Sequence, residues 1–87
     1  MLKIEAYDRP GESRTGGLQN VSADEIEAVL GFKPNVQDDP YKVVHSWGFK
    51  VNGVACGIWD YKGSHHYNTW STFGPREVFE QLFPGKG

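Results

Sequence analysis

Residues 43–73 read VVHSWGFKVNGVACGIWDYKGSHHYNTWSTF and carry all three tryptophans of the chain. Asn52-Gly53 sits near the middle of this stretch, between two runs rich in β-branched and aromatic residues. A two-residue type I′ turn needs positive φ at both central positions, and Asn-Gly tolerates that best. The turn sets the pairing. Val51 stands opposite Val54, Phe49 opposite Cys56, Trp47 opposite Ile58 and His45 opposite Asp60. Facing residues share one side of a sheet. One face therefore carries Val43, Trp47, Phe49, Val51, Val54, Cys56 and Ile58, a ready core. The other carries Val44, Ser46, Gly48, Lys50, Ala55, Gly57, Trp59 and Tyr61.

A third strand follows the turn around Gly63-Ser64-His65-His66. Pairing Lys62 with Tyr67 sets Trp59 against Trp70 and sends Phe73 to the core side beside Cys56. A slip of one residue would reverse every side chain in that strand. In this register Trp59, Tyr61 and Trp70 stand beside Gly48, Gly57 and Ser46, an aromatic platform with a shallow hollow.

Working outward, Leu2, Ile4 and Ala6 alternate with Lys3, Glu5 and Tyr7, which predicts a short strand. Residues 8–20 (DRPGESRTGGLQN) are polar and glycine-rich, and read as a flexible loop. A helix begins at Ser22, where Ser22 and Glu25 fit a capping box, and stops at Gly31. Ile26, Val29 and Leu30 form its apolar stripe, with Phe32 just beyond. PNVQDDPY links this helix to the strands. Gly74-Pro75 opens a last helix, whose Val78, Phe79, Leu82 and Phe83 share one side before Pro84-Gly85. The order β-α-β-β-β-α defines a single α+β domain over residues 1–87, with three to four antiparallel strands and two helices packed on them.

Composition narrows the function. Eighty-seven residues make one small domain. Only 38% of them are hydrophobic, while 14% are aromatic, so rings carry much of the core and part of the exterior. A single cysteine excludes an internal disulfide and suits a reducing cytoplasm. The apolar runs are too short to span a membrane, and LKIEAYDRPG lacks a signal-peptide core. The expectation is a cytoplasmic protein with no membrane partner. A net charge of −2 gives neither a nucleic-acid mimic nor a basic surface.

Chemistry-bearing residues are few. Cys56, His45, His65 and His66 lack the spacing of metal ligands, and His65-His66 point in different directions. Cys56 and His45 fall roughly 13 Å apart along the strands, too far for thiol activation. His45 opposite Asp60, with Thr69 nearby, is half of a catalytic triad, but a hydrogen-bonded pair at the rim of a core accounts for it. PGESRTGG matches no phosphate-binding loop. No cofactor is implied and the reading is non-enzymatic.

SWGFKVNGVACGIWDYKGS and WSTFGPREVFEQLF together resemble, in style, small accessory proteins encoded by bacteriophages and prophages. The resemblance covers roughly half of the chain. It implies a protein that binds a host factor, for example an anti-defence inhibitor of the anti-CRISPR kind. The residues themselves nominate Trp59, Tyr61 and Trp70 as aromatic anchors, with Lys50, Arg9 and Arg14 at the rim. An alternative use of the same rings is to stack a nucleotide or single-stranded nucleic acid. A homodimer competes for the same face.

Overall fold

The computed structural model describes residues 3–7, 14–36, 43–61 and 68–86, the side chains of 43 and 44 excepted. The α+β class holds. Among the described residues, five strands and two helices follow in the order β1 (Ile4–Ala6), β2 (Gly16–Leu18), α1 (Ala23–Leu30), β3 (Val43–Val51), β4 (Val54–Tyr61), β5 (Trp70–Phe73) and α2 (Arg76–Leu82). The strands form one antiparallel sheet with the spatial order β1-β3-β4-β5-β2.

The hairpin behaves as its turn dictates. Asn52 and Gly53 have φ of 52° and 84°, and Val51, Phe49 and Trp47 oppose Val54, Cys56 and Ile58. Asn52 also anchors the first strand. It accepts from the Lys3 amide through Oδ1 and donates its own amide to the Lys3 carbonyl, both at 2.9 Å.

Beyond Ser46 the regular ladder ends. Val43 pairs with Tyr61 and Ser46 with Trp59, so Val44 and His45 together stand against Asp60 alone. This is a β-bulge, which leaves one amide without a ladder partner. Asp60 supplies the partner. Its carboxylate accepts the His45 amide at 2.6 Å through Oδ1 and meets Nδ1 of the same histidine at 3.1 Å through Oδ2.

Two strand expectations change. β5 pairs one residue away from the predicted register, with Trp59 opposite Ser71, Ile58 opposite Thr72 and Gly57 opposite Phe73. Trp70 therefore belongs to the core side and Phe73 to the opposite side. In WSTF either Trp70 or Phe73 must face inward, and burying the larger ring removes more apolar surface from water. Trp70 is only 3% exposed; it packs edge-on against Trp47 at 5.6 Å and donates its indole N–H to the Val21 carbonyl. The second change lies within the segment read as a loop. Residues 16–18 form the far edge strand, and Leu18, opposite Trp70, is fully buried.

The helices end as their caps require. The Ser22 hydroxyl accepts from the Glu25 amide, and Gly31 closes α1 at φ 89° with its amide on Glu27. Pro75 is the cap residue of α2, just before its first turn. Ile26 and Leu30 from α1, and Phe79 and Phe83 from the α2 region, pack with Trp47, Phe49, Val51, Cys56, Ile58 and Trp70 into one core. Val29 and Val54, both expected inside, lie outside it at 36% and 43% exposure. Both helices thus cover the same face of the sheet.

Candidate functional site

The opposite face is built by strand alternation alone. Its middle row crosses four strands as Tyr7, Gly48, Gly57 and Phe73, because the Tyr7 amide donates to Gly48, Gly48 pairs with Gly57, and Gly57 with Phe73. At ~4.8 Å per strand, the two rings begin about 14 Å apart, with glycines between them. The next row holds Ser46, Trp59, Ser71 and Gly17, and the row toward the hairpin holds Glu5, Lys50 and Ala55. Tyr61 follows Trp59 by two residues on the same side. Aromatic side chains thus come from the residue after β1 and from β4 and β5.

Exposure differs along this face. Ser46 and Ser71, which flank Trp59, are 6% and 8% exposed, whereas Tyr61 is 46% exposed. Trp59, Phe73 and Tyr7 are half-buried. Lys50 lies with its ammonium 4.4 Å above the Tyr7 ring, a cation–π contact that holds the amine over the β1 edge. At the other edge, a Cβ built on Gly17 would lie 3.2 Å from an Arg14 guanidinium nitrogen. Gly17 shares the side of Ser71 and Trp59, so Arg14 rims the same face.

Of the nominated residues, the structure brings together Trp59, Tyr61, Lys50 and Arg14. Trp70 is not among them: it is a core residue whose indole N–H is already spent on Val21. Arg9 lies outside the described residues, as do His65 and His66, which bore on the metal reading. Phe73 and Tyr7 join the face without having been nominated. Tyr7 was visible in the alternation that predicts β1, while Phe73 depended on a register that no local turn sets.

Three other places carry chemical groups. His45 sits over Trp47 at 6.0 Å and beside Trp70 at 5.9 Å, with its Nδ1 on the buried Asp60 carboxylate. The indoles beneath it are held in turn, Trp47 by the Phe32 carbonyl and Trp70 by that of Val21. The cluster locks the bulge. Cys56 is fully buried, and burial pushes its thiol up to about 11, so thiolate chemistry is suppressed at neutral pH. A cleft of about 290 Å³ lies between β2, β5 and α2, lined by Gly16, Thr72, Gly74 and Phe79 among others. Its polar groups are engaged: Thr15 Oγ1 with the Gly74 amide and carbonyl, Arg76 with Glu80.

Among the described residues, no three His, Cys, Asp or Glu side chains are grouped to hold a metal, and no helix is long and apolar enough to cross a membrane. No protein family, curated protein or solved structure matches the chain. The geometry alone defines a class: an α+β domain with its helices on one side of the sheet and an aromatic surface with a cationic rim on the other.

Proposed function

We propose that this is a non-enzymatic, cytoplasmic binding protein that engages a partner protein through the face of its sheet opposite the two described helices. Trp59 and Tyr61 are the anchors, Phe73 and Tyr7 extend the apolar contact, and Lys50 and Arg14 form the rim. The observation that carries the reading is the segregation of the two faces. Both helices and the core cluster lie on one side, and Trp59, Tyr61 and Phe73 from two strands, with Tyr7 just past β1, stand on the other. Large rings at low conformational cost are what binding hot spots use. A host factor, of the kind that small phage accessory proteins bind, is the first partner class to test.

The experiment is affinity capture from nuclease-treated bacterial lysate, read by mass spectrometry, with wild type, Trp59→Ala and Tyr61→Ser. Tyr61→Ser alters an exposed ring, and the melting temperature of each variant is read alongside. Wild type retains a stoichiometric protein that both variants lose. A partner held equally by all three removes this face from the function.

A further inference from the structure

The charges of the described residues are divided between the two sides of the sheet. The helices carry Asp24, Glu25, Glu27, Glu77 and Glu80 against Arg76, with Lys33 and Lys86 just past their C-terminal ends, so the acidic groups remain in excess there. The aromatic face and its edges carry Lys3, Lys50 and Arg14 against Glu5, and Glu5 is already paired with Lys3 at 3.2 Å. Among the described residues, the aromatic face is therefore the more cationic side. Lys50 and Arg14 stand at opposite corners of it. From the row of Gly17 to that of Lys50 there are three strand spacings across and four residues along, a diagonal of roughly 20 Å. An extended chain covers that distance in about six residues.

We propose that the element of the partner seated on this face is a short acidic segment. Resting on the functional reading above, this gives it a definite shape. The segment is extended, about six residues between its acidic ends, with one carboxylate toward Arg14, one toward Lys50 and an apolar or aromatic side chain against Trp59. A nucleic-acid strand fits less well. Its affinity comes from neutralising many phosphates, and this face offers two separated cations.

The test uses the full chain and three sets of labelled octapeptides that share randomised apolar centres. Their end residues are aspartate or glutamate, serine, or lysine, and a twelve-nucleotide oligo-dT is the fourth probe. The acidic set binds about tenfold more tightly than the serine set, and added salt weakens it. Arg14→Glu and Lys50→Gln each lower that affinity several-fold, and Arg14→Glu shifts preference toward lysine-ended peptides. Trp59→Ala abolishes binding by every set. Peptides that need Trp59 but bind equally well with serine ends overturn the acidic segment and leave the binding face standing. Tighter binding of oligo-dT than of any acidic peptide overturns it in favour of phosphate. Acidic peptides that bind independently of Trp59 overturn both, as does a failure of every peptide set to bind in a Trp59-dependent way, if lysate capture also shows no dependence on Trp59.

Discussion

Replacing Trp70 by phenylalanine tests the register of the third hairpin strand, and with it the membership of the binding face. Trp70 is 3% exposed, packs against Trp47 and donates to the Val21 carbonyl. Phenylalanine keeps a ring but removes the donor and part of the volume. Leaving a buried carbonyl without its partner costs about 1–3 kcal/mol. The volume lost adds about 1 kcal/mol of unfilled space. The expected loss is therefore about 2–4 kcal/mol, a large share of the roughly 4–13 kcal/mol that a domain of this length has. At about 4–8 °C per kcal/mol, the melting temperature falls by at least 8 °C. Trp59→Phe, at a half-buried position between two serines, costs under about 1 kcal/mol and shifts it by a few degrees. Thermal unfolding followed by circular dichroism reads both variants, and urea titration gives the free energies. A harmless Trp70→Phe would mean that β5 takes the one-residue alternative, with Trp70 beside Trp59 on the outer face; a damaging Trp59→Phe would mean that Trp59 is a core residue and the face assignment fails.

Gly74 has φ 129°, and a Cβ there would lie 2.7 Å from Cys56 Sγ, so Gly74→Ala is expected to lose about 2–5 kcal/mol. Gly31→Ala, also at positive φ but with nothing within 4 Å, loses only about 1 kcal/mol; equal urea midpoints for the two variants would refute the steric contact. Asp60→Ala leaves the bulge amide of His45 unpaired and costs about 2–3 kcal/mol, while Asp60→Asn keeps an acceptor and costs less than half of that. Equal losses in urea unfolding would mean that the charge, not the acceptor, matters. Cys56 titrates at about 11 in the folded protein against an ordinary value of 9.0. The folded chain therefore holds the thiol proton where the unfolded chain has lost it, so stability is full below pH 9 and declines from there toward pH 11. Cys56→Ala removes this component, on the order of 2 kcal/mol, from the alkaline loss; an unchanged slope between pH 8 and 11 would contradict it.

How much could be read from residues alone depended on how local the deciding physics was. Asn52-Gly53 dictates its own backbone, and from it followed the pairing of β3 with β4, the inward set from Trp47 to Ile58 and the placement of Trp59. Ser22 and Gly31 bound α1 for the same reason. The next connection has no such residue pair. Between Tyr61 and Trp70 two registers satisfy local preferences, and the choice is made by whether a tryptophan or a phenylalanine fills the space beside Trp47 and Leu18, a comparison between residues distant in the chain. β2 was less legible still. Gly16-Gly17-Leu18 has no alternation and low strand propensity. It is a strand because β5 offers a partner and because glycine fits where Thr72 Oγ1 and Arg14 already stand within 3.2 Å of any added Cβ. The bulge at Val44–His45 left no signature except the carboxylate that repairs it.

The place of Trp59 is secured by its neighbours rather than by its own contacts. It lies between Ile58 and Asp60, which are 0% and 1% exposed on the other side of the strand. Turning Trp59 inward would expose Ile58 to water and strip Asp60 from the His45 amide it holds. The first change forfeits about 2 kcal/mol of apolar burial. The second leaves a bulge amide without its acceptor, at about 1–3 kcal/mol. Together these exceed what a half-buried indole gains by moving fully inside. The same alternation carries Tyr61 to the outer side. The core and the hydrogen-bonded pair at its rim thus act as the support of the binding face: His45 and Asp60 need no chemistry of their own to matter, because they hold the two aromatic anchors outward.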